Sequence, residues 1–472
     1  MQVFFGAGEI GRKALSLFRG GGLDIDFFCD NNPNMYGQVI EHIKVISAEQ
    51  LLQLPKDTEI FATCKEAEKV AAQLIKLGIS GDRITRCNTT PSVMKYVMGQ
   101  PEWKPSFNKT DFFSDKETSK VIFELSNGLS MGGVETWSIQ TSNTLKKAGY
   151  STAILVDPLK VQEQTLREDM LIPIEYYEDM TEWDRLHYLV SLIINAKNTV
   201  IVCNFIGYNF IAACLAKRAF PDKIKVITVI HNDEEVYFQN YVMFQDYIDI
   251  CLVISERIRS KLIDRQFPKE KIVYLPWEIH CEKELKRSYS SCEEPIRIGY
   301  AGRIVVSQKR VDHLVEVAEI LKNQGVRFTM EIAGVGSHEK NLKQEIEEKD
   351  LTQYVHLVGM IEHSQITMFW RRQDIMISCS DYEGHSITQV EAMSQGVVPV
   401  ITDTSGARDD VKDGENGFVV DVGAVDQIAY RISYLYNHRD KISEMGQMAY
   451  MTIKQKNNTS ELEKIWNNIL VK

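Results

Sequence analysis

The sequence predicts an α/β fold of parallel sheets covered on both faces by helices, and two observations carry that expectation. Short β-branched and aromatic runs alternate along the chain with stretches whose apolar residues recur at helical spacing. Two of those runs also pass directly into glycine-rich turns that open a helix, the local pattern of a doubly wound sheet. At ~150 residues per domain, a chain of 472 residues suggests about three domains. With 44% hydrophobic residues and only 28 Gly and 12 Pro, it is not fibrous or largely disordered.

The first block, 1–100, has strands expected at Val3–Phe5, Ile25–Cys29 and Glu59–Ala62. Helical spacing covers Ile10–Phe18 and Glu66–Leu77. Gly6-Ala7-Gly8-Glu9-Ile10-Gly11 follows the first strand, and Asp30 ends the next. Glycines at Gly6, Gly8 and Gly11 permit a tight turn and the approach of a pyrophosphate to helix N–H groups, while Asp30 suits ribose hydroxyls. An NAD(H) site and a structural or regulatory domain are both open here. The block is about half the length of a full dinucleotide domain, so the structural reading is taken as the expectation and NAD(H) as the alternative.

Residues 101–118 carry two prolines, many polar residues and no periodicity, and read as a linker. The second block, 119–285, opens with strand Val121–Leu125, a Gly132–Gly133 turn and a helix from Val134 to Lys147. Further strands are expected at Thr152–Val156, Thr199–Cys203, Lys225–Ile230 and Ile250–Ile254. The third block, 286–458, has strands at Ile298–Ala301, Phe328–Ala333, Val355–Val358, Ile375–Ser378 and Val398–Ile401. Its helix 310–323 aligns Val311, Leu314, Val315, Ala318 and Leu321 on one face. An amphipathic helix, Ser460–Val471, closes the chain within a terminal segment 459–472.

The net charge of −11 disfavours nucleic acid and anionic lipid as general partners, so an anionic ligand requires a local basic pocket. No apolar run approaches the ~20 residues that span a bilayer, and the N-terminus lacks the basic start of a secretory signal. Nine scattered Cys without a C-x-x-C pair read as reduced, buried thiols in a cytoplasmic protein. The basic stretch Arg257–Lys271 reads as a solvated helix face; peripheral membrane contact is its alternative.

The strongest chemical signal lies in the third block. Glu383 and Glu391 stand eight residues apart, one in a loop and one within a helix, and can flank a ligand over the helix start. The intervening amides of Gly384, His385, Ser386 and Ile387 sit at the positive end of that helix, suited to phosphate or sugar oxygens. Arg303 follows a strand and Lys309 precedes a helix, so both belong at strand C-termini, where two cations suit a diphosphate. Gly132–Gly133 bring a second helix N-terminus to the same ligand.

Over 119–472 the chain resembles the retaining glycosyltransferases of family 4. The resemblance rests on SMGGVE, GRIVVSQKR, IAGVGSHEKNL, VHLVGMI, the E-x7-E stretch ending EAMSQGVVPV, and DGENGFVV. It implies a GT-B fold of two facing Rossmann-like domains. GAGEIG, CDNNP and EHIKVIS in turn resemble a third, small Rossmann-like domain that precedes catalytic domains in bacterial sugar-modifying proteins.

The implied activity is transfer of a sugar from a nucleoside diphosphate sugar, with retention and no metal or other cofactor. The implied acceptor is a glycan, a lipid-linked sugar or a protein, in surface polysaccharide or glycoconjugate synthesis. By the same resemblance Arg303 and Lys309 bind the diphosphate, and Glu391 binds the ribose. Glu383 sits beside the sugar with the amides of Gly384, His385 and Ser386, and the backbone at Met360–Ile361 meets the base. His231 faces the sugar and acceptor. His385 stands where the family carries an aromatic residue or leucine, and Leu275-Pro276-Trp277-Glu278 replaces Pro-Asn-Gly. An epimerase of the same fold, a non-catalytic partner subunit and a bifunctional redox-plus-transfer protein are the competing expectations.

Overall fold

The computed structural model describes residues 1–101, 103, 120–125, 133–156, 171–174, 179–194, 199–275, 277, 279, 281–456 and 459–471. The expected linker, apart from residues 101 and 103, and Gly132 lie outside the described residues. The chain divides into two compact units. One holds Met1–Met131, Ser142–Thr228 and Gln239–Asp249; the other holds Gly132–Thr141, Val229–Phe238 and Ile250–Lys472.

Among the described residues three sheets carry the fold, as the alternation of strands and helices predicts. The first comprises β1 (Gln2–Phe5), β2 (Phe27–Cys29), β3 (Val39–Ile40), β4 (Ile43–Ile46), β5 (Glu59–Ala62) and β6 (Ile84–Arg86), in the order β3-β4-β2-β1-β5-β6. It is parallel except where β3 pairs antiparallel with β4. Because both faces are covered, its central strands β1, β2 and β5 carry continuous apolar runs rather than alternating ones. Phe4, Phe18 and Phe61 pack edge to face in one layer, and Val3, Ile60, Ala71 and Leu74 fill the other.

The second sheet has seven strands: β7 (Lys120–Leu125), β8 (Ser151–Val156), β9 (Leu171–Pro173), β10 (Thr199–Cys203), β11 (Ile224–Ile230), β12 (Ile250–Val253) and β13 (Ile272–Tyr274). Their order is β13-β12-β11-β10-β7-β8-β9. The third has β14 (Ile296–Ala301), β15 (Phe328–Ala333), β16 (Val355–Gly359), β17 (Ile375–Ser378), β18 (Val398–Thr402) and β19 (Phe418–Val420), in the order β16-β15-β14-β17-β18-β19 and parallel throughout. The order reverses between β14 and β17, the switch point at which a doubly wound sheet opens a crevice at its strand C-termini.

Ile298, Ile332, Ile375, Val400, Leu314 and Leu321 form the buried core beneath that crevice. Each fully buried aliphatic side chain contributes about 1.5–3 kcal/mol. The fully buried Asp374 clamps the strand starts, accepting bonds from Ser290 and from the Arg297 amide and guanidinium. Burial opposes its charge, but Arg297 and Ser290 hold the carboxyl below its ordinary value.

In the second unit, the terminal helix Thr459–Val471 sets Trp466 against Trp137 of helix Gly133–Lys147, with ring centroids 6.4 Å apart. Among the described residues no helix is long and apolar enough to cross a membrane.

Candidate functional site

The residues singled out in the third block come together at the C-terminal ends of β14 and β17. Lys309 lies at the end of the loop after β14, and its Nζ is 2.5 Å from Glu383 Oε1; both side chains are largely buried. Ser380, just past β17, donates its hydroxyl to the same carboxylate oxygen at 2.7 Å. Arg303 reaches Gln308 Oε1 at 2.6 Å, and Gln308 Nε2 donates to the Tyr382 carbonyl at 3.1 Å. The Asp381 amide bonds the Gln308 carbonyl at 2.9 Å, which ties the Arg303–Lys309 loop to the Tyr382–Glu383 loop.

Directly after Glu383 the chain turns into helix Ile387–Ser394. Ser386 is its N-cap residue, yet its hydroxyl meets Thr388 Oγ1 rather than capping the helix amides. The helix therefore begins without a side-chain cap, and its positive end stays available to an anion. Gly133, which starts helix Gly133–Lys147, lies against this start: a Cβ there would sit 3.6 Å from Ile387 Cγ2. Glu135, two residues further along, is buried. Burial pushes its carboxyl up, and nearby Arg303 pulls the other way.

Gly384 has a specific reason to be glycine. A Cβ at that position would be driven into the backbone carbonyl of His231. The close approach brings His231, just beyond β11, against the Glu383 loop. The His231 ring is buried beside Trp137, and burial pushes its pKa down to about 3, so the imidazole is neutral at ordinary pH. Glu391 is buried in the helix below, and burial raises its carboxyl to about 8. At neutral pH it is a protonated acid, able to donate as well as accept. Met360 and Ile361 follow β16 at the turn where the Gly359 carbonyl accepts from the Gly334 amide; Met360 is strongly exposed.

His385 does not point out of the loop. Its Nδ1 faces the Ile254 carbonyl at 2.9 Å and its Nε2 faces Asp410 Oδ2 at 2.5 Å. Trp277 donates its indole N–H to the His385 carbonyl at 3.1 Å, so it shapes the loop by fixing its backbone. Ser380, Gln308, Glu135 and Asp410 escaped the sequence reading. Gln308 adjoins Lys309 and Ser380 lies three residues before Glu383, but their partners are known only once the loops fold together.

The N-terminal glycine turn forms as the pattern predicts, with Gly6 at φ +123° and Gly8 preceding helix Glu9–Gly20. Asp30 Oδ2 accepts from the Ala7 amide and Oδ1 from the Asn32 amide, each at 2.9 Å. The carboxylate thus braces the turn, and a ribose would have to share oxygens already engaged. The basic stretch is largely neutralised within its own unit: Arg257 pairs with Asp403, Arg259 with Glu256, Lys261 with Asp233 and Arg265 with Glu235. Among the described residues Asp312, His313 and Glu316 cluster as cation ligands would, but the Arg310 guanidinium already sits on Asp312 and His313.

Residues 282–452 match the family model of glycosyl transferases group 1. Two curated relatives are similar over 60% of the chain. The poly(ribitol-phosphate) alpha-N-acetylglucosaminyltransferase of Staphylococcus aureus is 27% identical over 294 residues, 57% of its own length. The UDP-N-acetylglucosamine–peptide N-acetylglucosaminyltransferase GtfA subunit of Streptococcus gordonii is 24% identical over 314 residues, 58% of its length. The chain thus spans little more than half of either. Among solved structures, Anabaena HepE in complex with UDP aligns at a TM-score of 0.62 and 15% identity, over 75% of this chain and 100% of that one. TarM aligns at 0.61 and 15%, over 75% and 99%. The fold is accordingly α/β of the GT-B class, with an additional, mainly parallel sheet at its N-terminal end.

Proposed function

We propose that the chain is a retaining, metal-independent glycosyltransferase that moves a sugar from a nucleoside diphosphate sugar to a glycan, lipid-linked or protein acceptor in surface polysaccharide or glycoconjugate synthesis. The observation that carries this reading is the Lys309–Glu383 pair at the mouth of an uncapped helix start. The Glu383 carboxylate holds Lys309 where a donor phosphate would take over as its anion. The similarity to group 1 transferases supports the same class of reaction.

The difficult step is departure of a nucleoside diphosphate from a sugar that becomes cationic. Lys309, Arg303 and the amides of Gly384 to Ile387 stabilise the leaving phosphate, and Gly133 brings a second helix start to it. These dipoles and charges are held in place before reaction, so little reorganisation opposes the transition state. Glu391, protonated at neutral pH, hydrogen-bonds the ribose hydroxyls, and the backbone at Met360–Ile361 receives the base. Once Lys309 turns to phosphate, Glu383 is released toward the sugar ring. Neutral His231 offers a hydrogen bond on the acceptor side rather than a charge. No nucleophile and acid at glycosidase spacing are required, because the departing phosphate oxygen takes the acceptor proton on the same face.

The test is turnover of UDP-, GDP- and ADP-sugars with glycan and lipid-linked acceptors, in the presence of EDTA, with the product's anomeric configuration read by NMR. The reading expects transfer with the donor's configuration kept and no effect of chelation. An inverted product or loss of turnover with EDTA would contradict it. Conversion of donor without any acceptor would identify an isomerase instead.

A further inference from the structure

The His385 side chain is buried and engaged at both ring nitrogens. A carbonyl oxygen only accepts, so the Nδ1 facing Ile254 at 2.9 Å carries a proton. Asp410 is bound at Oδ1 by Lys456 Nζ at 2.7 Å and is therefore held as a carboxylate, which likewise only accepts. The Nε2 at 2.5 Å from Asp410 Oδ2 is then a donor as well. The ring is an imidazolium inside the protein, with its counter-charge in direct contact.

The backbone of the same residue is immobilised too. Trp277 holds its carbonyl, and Gly406 lies so close that a Cβ there would strike the His385 Cα and ring. Gly384 is pressed on the His231 carbonyl. One turn of chain thus connects a buried ion pair, through a single residue on each side, Gly384 and Ser386, to Glu383 and to the uncapped start of helix Ile387–Ser394.

We propose that His385 is a positioning residue, whose ring, clamped between the Asp410 carboxylate and the Ile254 carbonyl, holds the Glu383–Ile387 turn in the shape that receives the donor diphosphate. This inference rests on the function proposed above. The charged and titratable groups around the ring are Asp409 and Asp410 of the 407–410 turn and Lys456 of helix Arg439–Lys456. Glu256 and Tyr274 stand beyond them, close enough to Asp409 to share its field. Burial opposes the ring's charge, but Asp410 and then Asp409 hold its pKa above the ordinary histidine value. Loss of the second proton breaks the ring's bond either to the Ile254 carbonyl or to Asp410 Oδ2, while Lys456 still holds Oδ1, and the turn is released as pH rises.

Two measurements on the full chain test this. The first is 15N NMR of the imidazoles in the wild type and in His385→Gln. A doubly protonated ring at neutral pH that vanishes in the variant is expected; a neutral, singly protonated His385 overturns the proposal. The second is the affinity for UDP, GDP and ADP from about pH 6 to about pH 10. Wild-type binding should weaken at high pH. That limb should move to lower pH in Asp410→Asn, where the stabilising charge is gone, and His385→Gln should bind about tenfold or more weakly at neutral pH while still folded. A limb unmoved in Asp410→Asn with full affinity in His385→Gln overturns the positioning role alone. A wild type that binds none of the three nucleotides overturns the proposed function, and this inference with it.

Discussion

Lys309 Nζ lies 2.5 Å from Glu383 Oε1, and Ser380 donates to the same oxygen from the other side. Residues 74 positions apart are thereby joined across the ends of β14 and β17. Removing the cation alone leaves a largely buried carboxylate without its counter-charge, which costs more than removing both charges. Lys309→Ala should lower the unfolding midpoint, and Lys309→Ala combined with Glu383→Gln should recover most of the loss. Denaturant unfolding of the two variants measures this; equal destabilisation would mean that the pair is not coupled.

Gly384→Ala places a methyl group where the His231 carbonyl already lies. Overpacking of this kind costs about 1–3 kcal/mol, and the loop must move to relieve it. Thermal unfolding should fall by several degrees, and turnover should fall with it. Gly8→Ala makes a matched control: nothing lies within 4 Å of a Cβ there and its φ of −78° suits any residue. A Gly384→Ala protein as stable and active as the wild type would refute the close approach.

Glu391 gives the stability of the chain a pH slope of known sign. An ordinary glutamate ionises near 4.5, whereas burial holds this one protonated up to about 8. Between those values the native state binds more protons than the unfolded chain, so this contribution to stability falls as pH rises and levels off beyond about 8. Glu391→Gln should gain on the wild type steadily from acid to mildly alkaline pH. A stability difference independent of pH would show that the carboxyl ionises normally.

In the N-terminal sheet, Asp30→Ala removes the acceptor for the Ala7 and Asn32 amides. A loss of about 1–3 kcal/mol is expected from the stranded donors, read by unfolding of the full chain. Calorimetry with NAD(H) should show no heat of binding, and a Kd in the micromolar range that Asp30→Ala abolishes would restore the dinucleotide reading of this glycine turn.

The strands most legible in the sequence were the β-branched runs of the sheet interiors. Glu59–Ala62, Thr199–Cys203, Phe328–Ala333 and Ile375–Ser378 form strands at their expected limits. The short strands β3, β4, β6, β9, β13 and β19 went unread, since two to four residues carry too little pattern to separate a strand from a buried turn. Within the candidate site, Glu383, Lys309 and the helix start could be proposed from residue type and order alone. The His385–Asp410 pair, the Trp277 bond to the His385 carbonyl and the Gly384–His231 approach link segments 25, 108 and 153 positions apart. Chain spacing carries no trace of such contacts, so the sequence offered the His385 amide to a ligand and gave no sign that its ring turns into the protein.

The central claim is that Lys309, with Arg303 and the helix start after Glu383, holds a diphosphate. Titration calorimetry of UDP, GDP and ADP into the wild type, Lys309→Ala and Arg303→Ala tests it most directly. One nucleotide should bind the wild type, and Lys309→Ala should weaken that binding by about thirtyfold or more, since losing one member of a buried charge pair costs about 2–5 kcal/mol. Arg303, more exposed, should weaken it less. Unchanged affinity in a folded Lys309→Ala protein would contradict the account.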